Sequence, residues 1–290
     1  MINVAPLTKT RCLDIACQIE GGFARFAVTI HPQSDVGLYI REMRWLAEHL
    51  DGSTCPPGSH EHNRAVEVIL IVDQAANVAA TFAMLARTEI PNMKVQILKK
   101  RLNRFKIEGN AKARDILFEL EVAGRVARFP EMHVAFEEPP DIVIRTPGSS
   151  IAIACKKVTS LRQISKQISE AANQGERSRT PFFIFVDVGE LTTPRTFVCV
   201  ESEDELARHY EQQFSQIMPV CSDGVLRAFQ KGAGGVVLCC RVVGMIKFET
   251  GQVAVRWYFK HHRILNFGIP DAAATLSTLV ELMEMRGLSM

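Results

Sequence analysis

PPDIVIRTPGSSIAIACKKVTS, residues 139–160, is the stretch from which the fold is read. DIVIRT and SIAIACKK are short runs rich in β-branched residues, and TPGSS between them carries turn chemistry, so the segment reads as a strand, a turn and a returning strand. Antiparallel pairing brings Asp141, at the start of the first strand, to the same end of the sheet as Lys156, near the end of the second. Side chains alternate along a strand, so Ala152, Ala154 and Lys156 share one face, while Ile151, Ile153, Cys155 and Lys157 share the other. Lys156 therefore points with the alanines.

The flanking elements follow the same logic. NAKARDILFELEVAGRVARF is predicted as an amphipathic helix with Ile116, Leu120, Ala123 and Ala127 on one stripe, stopped by Pro130. HVAFE is a further strand candidate. LRQISKQISEAANQ is a helix, with Ser160 as N-cap and Gly175 just past its end. PFFIFVDV is an almost continuous apolar run, the pattern of a strand buried on both faces. The order is α, β, β, β, α, β. Beyond it EDELARHYEQQFSQIM and DGVLRAFQ read as helices, GGVVLCCRVVGMIKF and QVAVRWYFKHH as strands, and DAAATLSTLVELMEM as a closing helix. Before it, CLDIACQIEGGFARFAVTI reads as two strands around a Gly-Gly turn, DVGLYIREMRWLAEHL as a helix capped by Asp35, and AVEVILIVDQ as strand or buried helix. The expectation is an α/β (α+β) chain, with a smaller amino-terminal α+β domain over residues 1–105 and a larger domain over 106–290.

The 290 residues suffice for two cores, and 47% apolar with 23% charged residues is ordinary for a globular protein. A net charge of +2 says little about partners, but residues 94–106, KVQILKKRLNRFK, hold six Lys/Arg and no acid, a run that attracts phosphate through counterion release. The eight cysteines are scattered and several lie in apolar runs, which suits free thiols in a reducing compartment. MINVAPLTKTRCLD lacks a signal-peptide core, and no apolar run reaches the roughly 18 residues that span a bilayer. A cytoplasmic protein is expected, with no membrane partner. His60 and His62 lack a second ligand pair at zinc-finger spacing, and GAGG at 232–235 lacks the lysine and hydroxyl of a P-loop. His261 and His262, at the end of a strand, are expected at the surface.

Metal-assisted phosphodiester hydrolysis asks for two or three carboxylates around divalent cations and a lysine that orients water or offsets transition-state charge. The αβββαβ order, LFELEVAGRVAR, PPD, IACKK and QISKQISEAANQ together resemble the PD-(D/E)xK nuclease superfamily, the restriction-endonuclease-like fold, over about residues 109–188. The resemblance implies Asp141 as the metal-binding aspartate, Lys156 as the lysine and a helix glutamate as a further acid. Glu119 borders the apolar stripe and is preferred to Glu121, which lies farther round the wheel. It also implies Mg²⁺ or Mn²⁺ as cofactor and DNA as partner, with RNA as the alternative and a homodimer compatible. The family's second acid falls on Ala154.

Three readings of Ala154 stand open. The acid is relocated to Glu170, as in members of the superfamily that carry it on the following helix. Alternatively, alanine has been substituted for a carboxylate, or the domain is a pseudonuclease that binds nucleic acid without cutting it. On that helix Lys166, Glu170 and Asn173 share one side, and Gln163, Gln167 and Gln174 an adjoining one. Gln167, Gln174, Lys166 and Arg162 are candidate substrate contacts, joined by the basic run at 99–106. With one carboxylate gone the chain is expected to hold metal weakly and to cleave DNA slowly or not at all unless Glu170 compensates.

Overall fold

A computed structural model describes residues 8–49, 60–87, 92–106, 111–127, 129, 132–146, 149–192, 198–247, 253–269 and 274–275. The closing helix expected at 271–285 lies almost wholly outside them. The chain divides into two compact units, Met1–Glu137 with Arg286–Met290, and Glu138–Met285.

The first unit carries helices α1 (Lys9–Arg25), α2 (Asp35–His49), α3 (His60–Arg87), α4 (Asn92–Leu102) with a 3₁₀ turn over Asn103–Lys106, α5 (Ala111–Val126), and a short strand β1 (His133–Phe136). The two strands expected around Gly21-Gly22 are instead α1. Cys12, Ile15, Ala16, Ile19 and Phe23 are its buried residues, a spacing of three and four that belongs to a helix. The Thr8 hydroxyl caps it by accepting the Arg11 N–H at 3.2 Å. Gly22 sits mid-helix against α3, where a side chain would overlap the Phe82 ring, so packing at this position outweighs its turn propensity. AVEVILIVDQ resolves to helix within α3. Gly124 of α5 likewise meets the backbone of Asn77, and Thr81 donates to the Leu120 carbonyl. The helix is buried on every side rather than along one stripe: Ile116, Leu117, Phe118, Leu120, Val122, Ala123 and Val126 are all inside.

The second unit holds β2 (Ile142–Thr146), β3 (Ser149–Lys157), α6 (Leu161–Arg177), β4 (Phe182–Asp187), α7 (Gly189–Thr192), β5 (Val198–Val200), α8 (Glu203–Gln230), β6 (Ala233–Lys247) and β7 (Val253–Leu265). The class is mixed α/β, as expected. Strands β2 and β3 pair antiparallel, and β3, β4 and β6 run parallel. β7 pairs antiparallel along β6 from Gly235 to Lys247, so β4 and β5 share its opposite edge in tandem. β4 is buried at every residue, the outcome its continuous apolar run implies. The two helices expected at 203–230 are one, with Pro219 inside it.

One face of this sheet packs on α6 and α8. Ala152, Ala154, Phe182, Ile184, Val186 and Leu238 meet Ile164, Ile168, Ala171 and Ala172 of α6 and Tyr210, Phe214 and Ile217 of α8. Ser165 and Gly224 let the two helices close on each other, the Gly224 N–H donating to Ser165 Oγ at 2.7 Å. Gly175, expected beyond the helix, lies within α6 because the Phe182 ring leaves no room there for a side chain. Ser160 takes the extended N-cap conformation, but its hydroxyl makes no cap bond.

Candidate functional site

The hairpin registers as the sequence implies. Ile142 lies across from Ile153 and Val143 across from Ala152, which carries Asp141 to the position facing Ala154, two residues from Lys156. Along β3 the N–H groups of Ala152 and, just beyond the strand, Val158 donate to Pro181 and Asp187 on the β4 side, at 2.8 and 2.9 Å. The Cys155 N–H therefore points toward β2, and Asp141 Oδ2 accepts it at 2.8 Å. This charge-assisted bond completes the ladder at the hairpin's open end. Asp141 and Lys156 are both buried, at 7% and 9% exposure.

Ala154 is fully enclosed, and its neighbours are the apolar side chains under α6. Lys156 follows on the same face by alternation, and its register partner on β4 is Val186 of the same cluster. A carboxylate at 154 would project into hydrocarbon.

The other acids are placed as follows. Glu119 lies in the first unit, buried, with Oε2 2.8 Å from Nη1 of the equally buried Arg101. Glu121 is buried as well, so the wheel argument that separated it from Glu119 has no exposed face to rest on. Glu170 lies on the outer side of α6 and pairs with Lys166 at 3.8 Å, an ordinary i,i+4 ion pair. Arg162 is exposed too, and Gln167 and Gln174 are half-buried. In the basic run Lys100 and Lys106 are exposed, but Arg101 turns inward to Glu119. His262 is half-buried and stacks on Phe214 with ring centroids 5.8 Å apart, so its imidazole faces α8 rather than solvent alone. Burial, then the neighbouring His261, holds its pKa below the usual histidine range.

Asp141 accepts the Cys155 N–H, Ala154 offers no oxygen, Glu119 pairs with Arg101 and Glu170 with Lys166. Among the described residues no group of three or more His, Cys, Asp and Glu is gathered for a metal.

A second charged set, which the sequence reading did not single out, lies at the carboxyl ends of β3 and β4. Lys157 pairs in register with Asp187. Its Nζ is 3.8 Å from Asp187 Oδ2 and 3.4 Å from Glu190 Oε1 on α7. Asp187 Oδ1 also accepts the Gly189 N–H at 2.9 Å. Burial drives the Asp187 carboxyl above the ordinary range, opposed by the Lys157 ammonium and the Gly189 N–H, with Glu190 adding to the rise. The available signal was VDVGE, a carboxylate ending a buried strand just before a glycine.

No family model, curated protein or solved structure matches this chain. Its functional reading therefore rests on the hairpin and on the charged groups around it. No helix among the described residues is long and apolar enough to cross a membrane. The cysteines at 12, 17, 155, 221, 239 and 240 are free, and all but Cys17 are buried.

Proposed function

We propose that this chain handles nucleic-acid phosphodiesters on a PD-(D/E)xK-like scaffold, with DNA as the substrate and RNA as the alternative, and that hydrolysis is impaired at the hairpin. The observation that carries the reading is the register that sets Asp141 across from position 154 with Lys156 two residues on, within the element order α5, β1, β2, β3, α6, β4. Asp141 and Lys156 are the retained members of the hairpin site, Ala154 is the lost one, Glu119 is paired with Arg101 and Glu170 with Lys166. Arg162 and Lys166, exposed on α6, and Lys100 and Lys106 supply sequence-independent phosphate contacts.

The test is DNA binding as a function of salt, with Mg²⁺- or Mn²⁺-dependent cleavage measured for the parent, Ala154→Glu and Glu170→Ala. Binding that falls with log salt, weak parental cleavage and a gain in Ala154→Glu support the reading. Absence of both binding and cleavage refutes it. A second reading, a pseudonuclease that binds without cutting, is favoured by the enclosure of Ala154 in the apolar cluster. It predicts binding with no cleavage in any variant.

A further inference from the structure

The hydrolytic reading needs carboxylates beside a lysine, and the second unit supplies that combination away from the hairpin acid position. Lys156 shares its face with Ala152 and Ala154, above the cluster that packs on α6. Lys157, its neighbour, faces the other side of the sheet and is held by Asp187 of the adjacent strand and Glu190 of the following helix. These groups lie at the carboxyl ends of parallel strands, where ligands of open α/β sheets bind.

Their exposure is graded. The Asp187 side chain is 2% exposed, Lys157 15% and Glu190 43%, so a fixed inner carboxylate, a partly covered ammonium and an outer carboxylate lead from the sheet to solvent. The inner group is anchored twice, by Gly189 N–H at 2.9 Å and by its place at the end of a fully buried strand. An ammonium held between two carboxylates has its position set before any ligand arrives, the preorganisation that charge stabilisation in a reacting phosphate requires.

We propose that Lys157, positioned by Asp187 and Glu190, is the lysine that acts on the phosphodiester, with Lys156 serving the fold. This rests on the nuclease reading above and relocates its centre. Lys157 is the catalytic residue of the proposal, and Asp187 and Glu190 are positioning residues.

The experiment compares plasmid nicking in Mg²⁺ and in Mn²⁺ by the full chain and by Lys156→Met, Lys157→Met, Lys157→Arg, Asp187→Asn and Glu190→Gln, each checked by thermal unfolding. Lys157→Met and Glu190→Gln are expected to lose at least about tenfold in rate while melting like the parent, and Lys157→Arg to recover part of the loss. Lys157→Met is expected to lose more than Lys156→Met, and the ranking of the two decides between the lysines. Glu190, nearly half exposed, keeps the test decisive should Asp187→Asn fold poorly. A tenfold loss in Lys156→Met alongside parental rates in Lys157→Met and Glu190→Gln overturns this inference and leaves the nuclease reading standing. A parent that nicks with neither cation overturns both.

Discussion

Replacing Ala154 with glutamate tests the central geometry most directly. The residue is fully enclosed, with Ile164, Ile168 and Ala171 of α6 in the cluster around it. A carboxyl group placed there must ionise in hydrocarbon or hold its proton, and buried carboxyls in such surroundings shift by about 3 units or more. At 1.36 kcal/mol per unit this is about 4 kcal/mol lost at pH 7. The longer side chain adds a packing cost of roughly 1–3 kcal/mol. The sum is a large part of the ~5–15 kcal/mol that holds a typical domain together. Urea unfolding at pH 7 and at pH 5 gives the measurement. Glutamate with a raised folded pKa is penalised above its unfolded pKa of about 4.3 and relieved as pH falls toward that value, so the deficit should be smaller at pH 5. If the open end of the hairpin can recruit a cation once the acid is present, Mn²⁺ at about 100 times its dissociation constant restores about 2.7 kcal/mol to the variant and nothing to the parent. A variant within about 0.5 kcal/mol of the parent in metal-free buffer at pH 7 would refute the placement of residue 154 in a packed apolar core.

Other perturbations probe the remaining charges and packing. Burial raises the folded pKa of Asp187 above its unfolded value of about 3.9, so the stability it contributes is complete below that value and is lost as pH rises through the folded pKa. Asp187→Asn should gain stability relative to the parent as pH rises across this window; parallel urea-derived stability profiles would contradict the assignment. Glu119→Gln leaves Arg101 buried opposite a neutral amide and should cost about 3 kcal/mol, read from the urea midpoint; an unchanged or higher midpoint would indicate an acid held for chemistry rather than for the ion pair. Gly22→Ala overlaps Phe82 and should lower the melting temperature, while Gly21→Ala, with open space around it, should raise stability by about 0.5–1 kcal/mol through helix propensity. Burial pushes the Cys12 thiol up to about 11, so a thiol reagent at pH 8 should label exposed Cys17 in the native protein and reach Cys12 only on unfolding.

The hairpin was legible because two independent signals agree: alternation along SIAIACKK fixes which residues share a face, and the turn residues fix which ends meet. Strand β4 was legible for a related reason, since a short apolar run bounded by turn residues has few alternatives. Helix α1 was misread because Gly21-Gly22 was weighed as turn chemistry, whereas the three-and-four spacing of Cys12, Ile15, Ala16, Ile19 and Phe23 extends across it. What Gly22 meets is a ring on another helix, and no local pattern contains Phe82.

The charged groups divide along the same line. Position 154 is read in the sequence as the place of a neighbouring acid, yet its chemistry depends on α6 lying over that face, a tertiary fact that strand alternation leaves open. Lys157 was set aside because it points away from the alanines, and that is why it meets Asp187: in parallel register two residues side by side on neighbouring strands project to the same face. A motif fixes spacing along one strand, but the carboxylates facing Lys157 come from the next strand and from the helix after it. The same two adjacent lysines therefore divide between an apolar face and a charged one. Exchanging their surroundings tests this without reference to any family: Val186→Asp gives Lys156 a facing carboxylate, and Asp187→Val removes one from Lys157. If Lys157 is the working residue, the second change should lower nicking about tenfold or more and the first should not compensate for it.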